Sequence, residues 1–204
     1  MNTAFSRSAR NAAAGLSLLA FGSLALQIYG NMQRGEALAP VVGWMFQFFT
    51  IWGNFATGAV FAWIAWRGQI EPRVPFSLAA ALVIIAVVYH VLLAADHRPE
   101  GLDWWTNIAH HTLVPLGGVL WWLAFSREQM VSWRSLPVVV LVPLVYGGFA
   151  LLNGAVTGFY PYFFLDLPSL GWPMLLANMV GLAILFMAVA ALLLGIRSFV
   201  TARA

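Results

Sequence analysis

Residues 47–54 read Gln47-Phe48-Phe49-Thr50-Ile51-Trp52-Gly53-Asn54, with three polar side chains set three and then four positions apart among large apolar rings. At helical spacing Gln47, Thr50 and Asn54 share one stripe. Such a stripe either hydrogen-bonds neighbouring helices together or lines a place where polar chemistry occurs. Both readings need a helix in apolar surroundings, and the rest of the chain supplies them. Of its 204 residues 62% are hydrophobic and only 8% charged, a composition outside the range of soluble globular domains. The chain reads as an all-α polytopic membrane protein.

Charge and cysteine usage narrow the functional classes. All ten basic residues are arginines, set against seven acids, so the excess is three charges; no nucleic-acid face is expected, and the arginines matter by position. The chain has no Cys, which removes disulfides, thiol nucleophiles and thiolate metal sites.

A helix needs about 20 apolar residues to cross the hydrocarbon core. Stretches near 12–31, 41–66, 75–95, 104–126, 136–155 and 172–196 approach that length. The breaks between them hold MQRGEALAP, RGQIEPR, DHRPEGLD, SREQMVSWR and TGFYPYFFLDLPS, the composition expected of turns. The expectation is one domain over residues 1–204, a six-helix bundle. Arg7 and Arg10 ahead of an apolar run resemble the start of a secretory signal peptide. The run continues for about 20 residues with its best cleavage candidate, Ser23–Ala25, inside it, which fits a retained span. With six spans, one side holds Arg7, Arg10, Arg67, Arg73, Arg127, Arg134, Arg197 and Arg203, and the other only Arg34 and Arg98. The positive-inside rule then places both termini in the cytoplasm, with Asp96, Glu100, Asp103 and Asp166 on the outer side.

Polar groups at membrane depth are costly, so their positions are informative. Gln47, Thr50 and Asn54 on the second span, His90 on the third, Asn107, His110, His111 and Thr112 on the fourth, Asn153 on the fifth and Asn178 on the sixth all fall in the outer half of this topology. Counted from the span starts at 1.5 Å per residue, Thr50 lies about 14 Å and His111 about 11 Å down, at one level. Taken singly, each fits interhelical hydrogen bonding as well as a site, and the tyrosines and tryptophans at the span ends fit an interfacial belt. No nucleophile-elbow serine, paired-His zinc signature or phosphate-binding glycine loop is present, and no two His sit opposed on separate helices as a haem would require. No cofactor and no metal is expected.

Three stretches, FFTIWGN, HHTLVP and TGFYPYFFLD, resemble the androgen-induced-protein family of six-span membrane proteins and its bacterial relatives. The loop signature falls on Thr157, Gly158, Tyr160, Tyr162, Phe164, Leu165 and Asp166. The resemblance implies an intramembrane hydrolase with a Thr nucleophile and a His base, acting in the animal members on fatty acid esters of hydroxy fatty acids. Its Thr corresponds to Thr50. Its His corresponds to His111 when aligned on the His-Thr pair and to His110 when counted back from the proline. Gln47, Asn54, His90, Asn178, Tyr160, Tyr162 and Asp166 are then the expected substrate-binding and oxyanion groups, with the 157–169 loop as a lid. The expected substrate is a lipid or fatty-acid ester, and the expected location is a bacterial inner membrane with the site's mouth towards the periplasm. A lipid-binding or transport protein that uses the same cavity without chemistry is the alternative.

Overall fold

The computed structural model describes residues 4–95, 97–126 and 131–202. Asp96, Arg127 and Arg203 lie outside the described residues. Among those described there is no strand, and the chain is all-α. Five helices are long and apolar enough to cross a membrane, six if one sharply bent pair counts as a span.

The first span is α1, Arg7–Gln33. Its buried face carries Ala9, Ala13, Ser17, Ala20 and Ser23, small residues three and four apart that let another backbone approach closely. That neighbour is α3, Phe49–Arg67, whose buried residues include Gly53, Thr57 and Gly58. The Ser17 hydroxyl donates to the Gly58 carbonyl at 2.8 Å. At the far end of α3, Gly68 takes a left-handed cap, and the Arg10 guanidinium donates to the carbonyls of Ala65 and Trp66 at 2.8–3.0 Å.

The segment expected as one span over 41–66 is two helices. Helix α2, Leu38–Met45, and α3 meet at 99° across residues 46–48. Neither Pro nor Gly lies at the break. The carbonyls that a continuous helix would use internally are taken from outside: the Trp52 indole N–H donates to Phe46 at 2.8 Å and the Tyr146 hydroxyl to Gln47 at 2.7 Å. Gln47 therefore lies off the helix, and the three-residue stripe reduces to Thr50 and Asn54. Thr50 is the second residue of α3, so its level is set by the first turn of that helix and not by a count from Val41.

Helix α4, Arg73–Val88, is the most enclosed span and ends in a π turn over Tyr89–Leu93. The next span is a single rod, Gly101–Phe125, made of α5 (Gly101–Ile108), a π turn over Ala109–Leu113, and α6 (Val114–Phe125). Pro115 gives the second π turn a local cause. It offers no N–H, and its ring would crowd the His111 carbonyl in an ordinary α turn. Helices α7 (Leu136–Val139) and α8 (Leu141–Thr157) form the following span. Helix α9, Leu167–Ala202, is interrupted at Gly171, whose φ of 68° and ψ of 165° suit only glycine. These spans run a few residues past the apolar stretches marked in the sequence, because helical structure continues into their polar ends.

A Cβ on Gly58 would lie 2.7 Å from the Phe21 ring, so this contact has no room to grow. Gly58→Val is expected to destabilise the α1–α3 pair by about 1–3 kcal/mol, measured as a lower apparent Tm in detergent; an unchanged Tm would mean the two helices separate freely.

Candidate functional site

The π turn at 109–113 does more than redirect the rod. The Val114 N–H bonds to the Ala109 carbonyl, and residue 115 is a proline, so the His110 carbonyl is left without its usual donor. Asn54 takes it. Its side-chain nitrogen donates to the His110 carbonyl at 3.1 Å and to the Thr50 carbonyl at 2.8 Å. Asn54, fully buried, is thus a tie between the first turn of α3 and the His-bearing turn.

Across that tie, the Thr50 hydroxyl lies 3.4 Å from Nε2 of His111. The other ring nitrogen of His111, Nδ1, lies 3.1 Å from the Asn107 carbonyl. A carbonyl only accepts, so Nδ1 carries the hydrogen and Nε2 is left as an acceptor for the threonine proton. The ring also stacks on Tyr89, with centroids 3.8 Å apart and planes at 17°. The Tyr89 hydroxyl is fixed in turn: Asn107 donates to it at 2.7 Å, so it donates to Nδ1 of His97 at 3.2 Å. His110 points elsewhere, towards the Ser23 carbonyl of α1.

Thr50 lies where two spaces meet, one with more polar groups in its wall than the other. One is a chamber of about 330 Å³ with polar groups from Gln27, His97, His110 and His111 in its wall, beside Trp44, Phe48 and Pro161. That volume is in the range of small-molecule sites. The other is a narrow apolar slot of about 60 Å³ walled by Val88, Leu93, Leu144, Met179, Leu182 and Phe186. Thr50, Tyr89, Leu93 and Tyr162 line both.

The 157–166 loop folds over this junction. Its backbone is held by Asn153 and by two side chains, Asn178 and Asp166, that the sequence suggests as substrate ligands. Asn153 donates to the Phe159 carbonyl and to Oε1 of Gln47, at 3.0 and 3.2 Å. Asn178 donates to the Phe164 carbonyl at 3.0 Å, and Asp166 caps the following turn through Ser169. The Tyr160 ring fills the space that a Cβ on Gly154 would need. Phe159 packs on Trp44 and Phe48. Of the loop residues, Tyr162 is the one that lines both spaces. Its hydroxyl bonds with the hydroxyls of Thr50 and Tyr146 and with the backbone N–H groups of Phe49 and Thr50. Burial pushes this phenol above its usual pKa despite those bonds, so it is protonated at neutral pH.

The residues suggested by the sequence therefore divide by placement. Thr50, His111, His110 and Tyr162 line the chamber, and Asn54 braces it from behind. Gln47, Asn178, Tyr160 and Asp166 support the loop and do not line the chamber. His90 is exposed, its Nε2 3.0 Å from the Thr112 hydroxyl, away from the chamber. Gln27, Tyr89 and Tyr146 are groups that the sequence reading passes over. Two of them carry a signal in the sequence: Gln27 is polar within an apolar span, and Tyr146 lies mid-span where no interfacial belt is expected. No protein-family model matches the chain, and neither does any curated protein or solved structure compared with it.

Removing the tie should loosen the site from behind. Asn54→Ala leaves the buried His110 carbonyl unpaired, at a cost of about 1–3 kcal/mol. The expected outcome is a lower apparent Tm in detergent, with a larger drop than Asn178→Ala, whose freed carbonyl belongs to a partly exposed loop.

Proposed function

We propose that this protein is an intramembrane hydrolase of lipid esters in which Thr50 is the nucleophile and His111 its general base. One observation carries the proposal: a threonine hydroxyl faces Nε2 of a histidine whose Nδ1–H is committed to a carbonyl, at the meeting point of a polar chamber and an apolar slot. The separation of 3.4 Å is longer than a catalytic hydrogen bond at work, as resting sites often are. The resemblance of FFTIWGN, HHTLVP and the 157–166 loop to the androgen-induced-protein family supports the same two residues.

A threonine hydroxyl is a weak nucleophile until a base takes its proton. In the proposed reaction His111 accepts that proton through Nε2 as Oγ1 bonds to the ester carbon. The tetrahedral intermediate then collapses, the bond to the alcohol oxygen breaks, and His111 returns the proton to the departing alkoxide. Water enters the chamber, adds to the acyl carbon and gives a proton to His111, which passes it to Thr50 as the carboxylic acid leaves. The net change is ester plus water to acid plus alcohol. The apolar slot suits the acyl chain, whose burial contributes about 0.8 kcal/mol per methylene, and the chamber suits the leaving group and water.

Six spans with the arginine-rich end in the cytoplasm put the chamber on the periplasmic or exterior side. Arg10 and Arg67 sit with the far end of α3, a helix length from Thr50, which is consistent with that orientation. A lipid carrier using the same chamber without chemistry is favoured by the long resting separation, and it predicts no covalent adduct.

The test is labelling by a fluorophosphonate together with release of fatty acid from a long-chain ester. Thr50→Ala should abolish both, and His111→Ala should lower both by about 10²–10⁴-fold. Thr50→Ser should retain labelling. If the parent protein hydrolyses and Thr50→Ala does so equally well, the assignment is wrong.

A further inference from the structure

Ester cleavage needs a donor for the negative charge that develops on the carbonyl oxygen; Asn54, Gln47 and Asn178 do not offer one to the chamber, and Gln27, which lines it, is not among the bonding partners of Thr50. Asn54 uses its nitrogen on two backbone carbonyls. Gln47 accepts from Asn153 through Oε1 at the helix break and does not line the chamber, and Asn178 donates to the loop carbonyl of Phe164. None of these nitrogens faces the chamber.

We propose that the hydroxyl of Tyr162, delivered by the 157–166 loop, is the donor that stabilises the oxyanion. This inference rests on the hydrolase reading above. The surrounding hydrogen bonds limit where the phenol proton goes. The N–H groups of Phe49 and Thr50 are among those a helix leaves free in its first turn, and they donate into the Tyr162 oxygen. With that oxygen accepting, its own hydrogen has two hydroxyl oxygens within reach, that of Thr50 and that of Tyr146, whose own hydrogen goes to the Gln47 carbonyl. The threonine hydrogen is in turn aimed at Nε2 of His111, because Nδ1 is the donor to Asn107. The resting site thus sets the Tyr162 phenol beside the Thr50 hydroxyl, whose own hydrogen goes to His111.

Attack changes the acceptors within reach of the phenol. Once Oγ1 is bonded to the acyl carbon its lone pairs are poor acceptors, while the carbonyl oxygen on the same carbon has gained a full charge. The phenol hydrogen turns to that charged oxygen without leaving Tyr162, and no proton is transferred in that movement. Two backbone N–H groups donating into the phenol strengthen it as a donor through cooperative polarisation. A donor that satisfies the ground state elsewhere and meets the oxyanion only after attack favours the transition state over the substrate.

The arrangement also ties catalysis to the loop. Pro161 and Tyr162 both line the chamber, and Tyr162 stacks on Phe164 with planes at 10°. Phe164 is anchored by Asn178. The loop therefore completes the site chemically as well as covering it.

The experiment measures steady-state hydrolysis of a 4-methylumbelliferyl long-chain ester and the rate of fluorophosphonate labelling, in detergent, for the parent, Thr50→Ala, Tyr162→Phe and Tyr160→Phe. Tyr162→Phe should lower kcat by about 10²–10³-fold, the range seen on deleting one oxyanion donor. KM should stay near the parent value and labelling should slow in parallel, because the phosphonyl oxygen occupies the same position; apparent Tm should fall, because two backbone N–H groups lose their acceptor. Tyr160→Phe should change neither rate. If Thr50→Ala abolishes labelling while Tyr162→Phe keeps kcat within about threefold, a change of under 1 kcal/mol, the donor assignment is overturned and the Thr-His pair stands. A Tyr162→Phe variant in which KM and Tm move and kcat does not would overturn it equally. If the parent neither hydrolyses nor labels, the hydrolase reading fails and this inference with it.

Discussion

A helix that stops in apolar surroundings leaves carbonyl oxygens without partners, and in hydrocarbon each such group costs several kcal/mol. The break at residues 46–48 meets this constraint with donors from two sources. Trp52 reaches back to the Phe46 carbonyl from one turn ahead, and Tyr146 reaches the Gln47 carbonyl from α8. Because those donors exist, α3 can begin at Phe49 with its first N–H groups free and Thr50 among them. A continuous helix would have used the same groups internally and placed Thr50 as an ordinary mid-span residue.

The same requirement runs through the second half of the site. Pro115 removes a donor and opens a π turn. The stranded His110 carbonyl is taken by Asn54, and Asn54 also holds the Thr50 carbonyl. Two irregularities in separate helices are thereby locked to each other by one side chain. The distance between Thr50 and His111 follows from that lock, and Tyr89 and the Asn107 carbonyl set the ring's orientation.

What the sequence discloses follows from which interactions are local. Helix existence and approximate span positions are legible, since about twenty apolar residues between polar breaks allow few other structures. The π turn is half legible, because HHTLVP carries the responsible proline, yet the proline alone does not say which carbonyl will be stranded. The bend at 46–48 is illegible: MFQFFT holds no breaker, and the Tyr146 that caps it lies on another span. A stripe of Gln47, Thr50 and Asn54 presumes an unbroken helix and so misplaces Gln47. The asparagines are legible as groups at membrane depth, but depth does not distinguish a side chain that meets a ligand from one that holds backbone. Asn153 and Asn178 hold backbone, since a loop pressed into an apolar bundle brings carbonyls that must be paired.

The proposed pair has no carboxylate behind its histidine, and the surroundings give a reason. A carboxylate orienting His111 at this position would be a charge moved out of water, at a penalty of several kcal/mol unless paired, and no arginine lines the chamber to pair it. The described arginines that bond to helix ends, Arg10 and Arg197, sit at the other end of the bundle. A carbonyl fixes the same tautomer without importing charge. It offers less stabilisation to the imidazolium that forms during attack, so more of the burden falls on the oxyanion side. A tyrosine already polarised by two backbone N–H groups is a suitable answer in a low-dielectric site, where a neutral donor costs little in the resting state and gains strength when charge appears beside it.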